Sequence, residues 1–209
     1  MKELVVIGSG GHARTVIDTA KLNSLLNITG VLDIHYKENI KETILGVPVL
    51  GGVQYLERLS PDQAVVFLAV GDNKTRKIIS RVIHELGFKS INIAHPTAYI
   101  SEYAALGNGN FIGAFANIGP HSQVANYCIV NTLANVEHEV RIADFCQLGP
   151  GSIVCGRSSI EENVFIGAGS KIIDNISISA GVTIGAGAAV TMNIAEPNAK
   201  YAGVPARKI

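Results

Sequence analysis

The densest group of proton-handling side chains in the sequence is Glu137-His138-Glu139, which closes the polar stretch Asn131-Thr132-Leu133-Ala134-Asn135-Val136. A carboxylate bonded to one imidazole nitrogen fixes the tautomer and raises the basicity of the other nitrogen, which is what a general base needs. Glu139, directly after His138, is the candidate partner, although spacing alone fits a solvated surface histidine among acids equally well. A second chemical element is Gly8-Ser9-Gly10-Gly11-His12-Ala13, followed twenty residues after Ala13 by Asp33. Glycines let a backbone approach a phosphate, a helix N-terminus offers unpaired N–H groups, and a carboxylate at a strand end can bond a sugar hydroxyl. The loop reads as a site for one nucleotide or nucleotide-sugar, with a purely structural glycine turn as the alternative. A nicotinamide dehydrogenase is disfavoured, because no second nucleotide-binding half follows.

These residues need a frame, and the sequence supplies two. From Ile100 to Val190 every sixth residue is Ile, Leu or Val, without a slip of register. The fifth position of each block is mostly small or apolar, as at Ala116, Ser122, Cys128, Ala134, Val140 and Cys146. Neither the 3.6 period of a helix nor the 2 period of a flat strand fits. A fixed period of six predicts a parallel β-helix of hexapeptide repeats, three to a triangular coil, with the aliphatic residue pointing inward. Ahead of it, apolar runs at 4–7, 28–32, 64–70 and 88–93 alternate with helical patterns at 12–20, 53–58 and 74–86. That alternation predicts a small Rossmann-like parallel sheet with crossover helices, with Asn73 as a possible cap and Ile78, Ile79, Val82, Ile83 and Leu86 as the inner face of the last helix. The polar segment 37–43 reads as a loop. The division is therefore an α/β domain over 1–95 and an all-β solenoid with its tail over 96–209.

Composition removes several function classes. Lys plus Arg and Asp plus Glu both number 17, so the formal net charge is zero and nothing basic suggests nucleic acid. The opening residues show no charged n-region or cleavage site, and no apolar run reaches membrane-spanning length, so the expectation is a cytoplasmic protein without a membrane span. Cys128 and Cys146 are eighteen residues apart at the small position and read as buried thiols, while Cys155 lies off that column. Some hexapeptide solenoids are zinc hydratases, but three imidazoles are needed and the solenoid offers only His121 and His138, so no metal is expected.

The chain resembles the sialic-acid O-acetyltransferase family of hexapeptide-repeat acyltransferases, which includes enzymes acting on nucleotide-linked 4-amino sugars. The resemblance runs the whole length. It rests on Gly8-Ser9-Gly10-Gly11-His12-Ala13, on Gly71-Asp72-Asn73 with Arg76, on Asn131-Thr132 with Glu137-His138-Glu139, on Leu148-Gly149-Pro150-Gly151, and on Gly203-Val204-Pro205-Ala206-Arg207. It implies a left-handed β-helix, a homotrimer, acetyl-CoA as co-substrate and a nucleotide-sugar or sugar acceptor. It also implies His138 as general base, with Glu139 raising its basicity. Gly10, Gly11, His12 and Asp33, with Gly71 nearby, match the nucleotide-sugar contacts. Gly156, Ala168 and Ala186 match the acetyl-CoA contacts in the groove between subunits. Two positions depart. Gln147 stands where many members have a second histidine, so a binding role survives there but a proton role does not, and Ile34 replaces an aspartate found in some amino-sugar members. The implied reaction is N-acetylation of a UDP- or dTDP-linked 4-amino sugar, with O-acetylation of sialic acid as the alternative. A non-catalytic scaffold that senses a nucleotide-sugar is the rival of a different class.

Overall fold

The computed structural model describes residues 3–37 and 42–209. The chain divides into two compact units, 1–93 and 94–209.

The first unit is built on a six-stranded sheet. Strands β1 (Glu3–Ile7), β2 (Asn27–Leu32), β3 (Thr43–Ile44), β4 (Val47–Gly51), β5 (Ala64–Leu68) and β6 (Lys89–Ser90) lie in the order β3-β4-β2-β1-β5-β6. β1 is central and parallel to both β2 and β5, so its apolar run Leu4-Val5-Val6-Ile7 is covered completely. Helix α1 (Gly11–Lys21) packs Ala13, Val16, Ile17 and Ala20 inward. The segment 53–58 is a short 3₁₀ helix of six residues.

Part of the expected loop 37–43 falls on residues 38–41, outside the described residues. The remainder differs from the expectation, because Thr43–Ile44 pairs antiparallel with Val47–Pro48. Leu45 and Gly46 between them both have positive φ (49° and 80°), the backbone of a two-residue hairpin turn.

Helix α2 (Asn73–Glu85) is capped by Asp72, not Asn73. Asp72 Oδ1 accepts the Thr75 N–H at 2.7 Å, while Asn73 is already inside the helix and faces inward. The inner face of α2 also differs. Ile78 is 63% exposed, whereas Arg76 is 1% exposed and shares the buried stripe with Ile79 and Ile83. Beyond α2 only Lys89–Ser90 of the expected strand 88–93 pairs with β5.

In the second unit, two-residue strands recur every six residues and form three parallel sheets. Partners are offset by one coil: Ile129 pairs with Gln147 and Gln147 with Phe165, Asn117 with Asn135 and Asn135 with Ile153, Gln123 with Arg141 and Arg141 with Ser159. The unit is a left-handed parallel β-helix. Ile112, Ile118, Val130, Val136, Leu148, Val154, Ile166 and Ile172 are fully buried in its axis. The small position is inward as well, and this is why it is small. Cys128 and Cys146 are free, buried thiols that donate to the carbonyls of Ala143 and Glu161. The last strands, Lys200–Ala202 and Arg207–Lys208, continue one sheet and close the end of the stack.

Candidate active site

Each coil turns three corners, and corner residues of successive coils stack. His121, Glu139, Arg157 and Asn175 have φ between 58° and 61°, the left-handed backbone that reverses the chain sharply. One edge is stitched by backbone bonds: Glu139 N–H to Pro120 O, Arg157 N–H to His138 O and Asn175 N–H to Gly156 O, all at 3.0–3.1 Å. An eighteen-residue period thus brings His138, Glu139, Gly156 and Arg157 to one place.

On this edge His138 Nδ1 lies 3.0 Å from Glu139 Oε2. Arg157 Nε donates to the same oxygen at 3.0 Å. The bond to His138 is the main reason the Glu139 carboxyl is held below the usual carboxylate range, with the nearby Arg157 cation adding to it. An ionised carboxylate only accepts, so Nδ1 carries the ring proton and Nε2 presents its lone pair. The histidine and glutamate are half-exposed, at 49% and 46%.

Gly156 lies directly beneath the imidazole. A Cβ on Gly156 would sit 2.5 Å from His138 Cε1 and 2.7 Å from Nε2. Its own N–H makes no hydrogen bond among the described residues. On the adjoining sheet face, Asn117 Nδ2 donates to Asn135 Oδ1 and Asn135 Nδ2 to Glu137 Oε1, both at 2.6 Å. Cys155 is a poor nucleophile here, since burial first, and then the charges of Glu137 and Asp174, push its thiol up. No cluster of three or more His, Cys, Asp or Glu among the described residues could hold a metal ion, and no helix among them is long and apolar enough to cross a membrane.

Gln147, Ala168 and Ala186 are not brought to His138 within one chain. Gln147 lies on the sheet face between Ile129 and Phe165. Ala168 and Ala186 are exposed and stack on a different edge, where Gly187 N–H donates to Ala168 O.

In the first unit, the loop after β1 begins with Gly8 at φ 120°, where a Cβ would meet the Ala69 carbonyl oxygen at 2.5 Å. Gly8 is therefore demanded by the protein's own packing. Gly10, which caps α1 in extended conformation, Gly11 and Gly71 are different, because a Cβ on any of them would meet nothing within 4 Å. The space beside all three is open, and they stand at the N-terminal ends of α1 and α2. His12 projects from the first turn of α1 with Nε2 shut off from solvent. Burial first, and then the Arg76 cation, lower its pKa to about 4. Arg76 itself donates to Val70 O at 2.8 Å, Gly71 O at 3.0 Å and Asn73 Oδ1 at 2.8 Å, which fixes the loop after β5. Asp33, at the end of β2, accepts the His35 N–H at 2.9 Å and lines a hollow of about 190 Å³ with Tyr36 and Lys37.

Residues 3–83 match the PglD N-terminal domain family. Over 115 residues the chain is 35% identical to UDP-N-acetylbacillosamine N-acetyltransferase of Bacillus subtilis (strain 168), a match covering 54% of this chain and about half, 51%, of that relative. The acetyltransferase domain of PglB from Neisseria gonorrhoeae FA1090, solved with acetyl coenzyme A, superposes with a TM-score of 0.91 at 32% identity, covering 100% of this chain and 99% of that one. The chain belongs to the nucleotide-amino-sugar acetyltransferase family of hexapeptide-repeat proteins. PerB from Caulobacter crescentus, solved with CoA and GDP-perosamine, superposes with a TM-score of 0.93 at 32% identity and covers 100% of this chain and 98% of that one.

The sequence points to the contact between His138 and Glu139 but not to three residues near it. Arg157 stands eighteen residues, one coil, after Glu139, a spacing that no motif in the sequence marks. Asn117 and Asn135 show the same spacing on the outer face, where the inward repeat gives no reason to look.

Proposed function

We propose that the protein transfers the acetyl group of acetyl-CoA to the free amine of a nucleotide-linked amino sugar. The observation that supports this reading most is the His138–Glu139 pair, ordered on a solenoid edge with Nε2 free and Gly156 behind the ring. As the sugar nitrogen attacks the thioester carbonyl, the new C–N bond forms and Nε2 takes the proton that the nitrogen sheds. The tetrahedral intermediate collapses with cleavage of the C–S bond, and His138 returns the proton to the leaving sulfur. The unengaged Gly156 N–H is the donor for the developing oxyanion. No covalent acetyl-enzyme is needed, and Cys155, its thiol pushed up by burial, is unsuited to carry one.

The acceptor's nucleotide is held at the glycine-rich loop of the first unit, with Gly10, Gly11 and Gly71 giving room for its phosphates and with His12 and Asp33 beside them. The donor lies along Ala168 and Ala186, with Gln147 as a hydrogen-bonding contact. None of those residues lies on the edge that carries His138, which supports a site completed between subunits, here read as a homotrimer. The relatives crystallised with CoA, acetyl coenzyme A and GDP-perosamine support acetyl-CoA as donor and a nucleotide-sugar as acceptor.

The test is thiol release from acetyl-CoA against UDP-, dTDP- and GDP-linked 4-amino sugars, their 4-hydroxy counterparts and sialic acid. Turnover on an amino sugar with an N-acetyl product by mass spectrometry supports the reading. Turnover confined to sialic acid or a hydroxyl sugar overturns it.

A further inference from the structure

Arg157 turns the corner one coil after Glu139 with nearly the same backbone, φ 61° against 60°. Its Nε reaches the carboxylate oxygen that His138 Nδ1 also approaches, each at 3.0 Å. One oxygen thus serves two donors, which its two lone pairs permit. We propose that Arg157 is a positioning residue that weakens the His138–Glu139 base and so matches it to an amine acceptor over a hydroxyl.

This inference rests on the reading of His138 as the base. Its first part is geometric. Glu139 is held from the ring side and from the next coil, so two contacts favour the carboxylate rotamer that meets the imidazole. Its second part is electrostatic. Guanidinium stays protonated throughout the working pH range, so the ring faces a carboxylate whose charge is already shared with a fixed cation. An unshared carboxylate would stabilise the imidazolium more and give a stronger base. A neutral amine is already a good nucleophile and needs a base only to collect its proton, whereas a hydroxyl needs stronger assistance.

Other charged and titratable groups also stand near the pair. Glu137 lies on the same coil and is engaged by Asn135. His121 occupies the same edge one coil before. Cys155 is on the coil after, with its thiol pushed up by burial and by Glu137 and Asp174. Arg157 is 62% exposed, so its effect is screened and moderate. Substitutions of this exposed side chain should leave the fold intact, and the remaining guanidinium nitrogens bond to nothing among the described residues.

Three full-length variants separate the two parts. Arg157→Gln keeps a donor that can reach Glu139 but removes the charge, Arg157→Lys keeps the charge, and Arg157→Ala removes both. The first readout is the proton titration of the His138 ring by NMR in substrate-free protein, its signals assigned by their absence in His138→Ala. The second is the pH profile of kcat/KM with the amino sugar that turns over. Removing a nearby positive charge stabilises the imidazolium, so Arg157→Gln should move the ring's titration to higher pH. The acid limb of kcat/KM should move with it, a loss of about threefold on that limb with the alkaline plateau kept within twofold. Arg157→Lys should follow wild type, and Arg157→Ala should show the displaced limb together with a lower plateau. The ratio of 4-hydroxy to 4-amino turnover should rise in Arg157→Gln. Titration curves that coincide in wild type, Arg157→Gln and Arg157→Ala would overturn the inference. Failure of the proposed activity is distinguishable, because it appears as no turnover in wild type, whereas the ring titration is read without substrate.

Discussion

Replacing Gly156 with alanine should abolish most of the activity while leaving the fold almost untouched. A Cβ at this position would lie 2.5 Å from His138 Cε1, 2.7 Å from Nε2 and 3.1 Å from Nδ1. Carbon atoms in contact need about 3.5 Å, so the ring must retreat by about 1 Å. It is free to do so, because its side chain is half-exposed on an open edge. Stability should therefore fall by less than about 1 kcal/mol, in the range of ordinary surface changes. Catalysis has no such freedom. A displacement of about 1 Å costs a positioned group on the order of 10²-fold, and it also draws Nδ1 from Glu139. The expected result is a fall in kcat of about 10²-fold, with KM for acetyl-CoA and the thermal midpoint little changed. The assay is thiol release under saturating substrates beside a thermal melt. Activity within about threefold of wild type would refute the argument that Gly156 is glycine to seat the imidazole. A collapse of the thermal midpoint would refute the claim that the ring alone absorbs the clash.

Two further outcomes follow from the first unit. His12 has its pKa lowered from 6.5 to about 4. Between those values the unfolded chain binds a proton that the folded one refuses, so the stability held above pH 6.5 is lost as pH falls towards 4. The loss amounts to about 3 kcal/mol. Urea midpoints measured from pH 7 to 4 should fall in wild type and flatten in His12→Gln, whereas parallel curves would show that His12 titrates normally. Arg76→Met should leave the Val70 and Gly71 carbonyls and Asn73 Oδ1 short of a donor, costing about 2–4 kcal/mol. It should raise KM for the nucleotide-sugar more than KM for acetyl-CoA, and an equal rise in both would mean that the loop after β5 does not serve the acceptor.

The solenoid was legible because one physical rule repeats at every coil. An inward position takes Ile, Leu or Val, and the position two residues before it has room only for a small side chain, so period six is written in composition. The sheets then follow, since an eighteen-residue offset returns each strand to its partner. The first unit was legible where strands are covered on both faces, as in β1, and less so at its borders. Asp72 and Asn73 are both good caps by chemistry, and only the backbone shows that Asp72 sits before the first helical turn. Ile78 was expected to face inward and Arg76 was not. A buried cation can replace an aliphatic side chain where carbonyls are at hand to receive its donors, and hydrophobic spacing does not register carbonyls. At the site, the His138–Glu139 pair could be read from adjacency, but the seat beneath it could not. Gly156 resembled a cofactor contact, and its packing against His138 depends on the corner geometry of the next coil. Arg157 escaped notice for the same reason, because the repeat that draws the eye runs along the inner wall and its column runs along an outer edge.

The most direct measurement of the central claim is acetyl transfer by His138→Ala, with the amino sugar that wild type accepts, from pH 6 to pH 9. Removing the general base should lower kcat at pH 7 by about 10²–10⁴-fold, with KM for acetyl-CoA and the thermal midpoint unchanged. The deficit should narrow at high pH, where solvent hydroxide can take the proton. A loss below about threefold across that range would contradict the account, because the proton would then leave the sugar amine without help from His138.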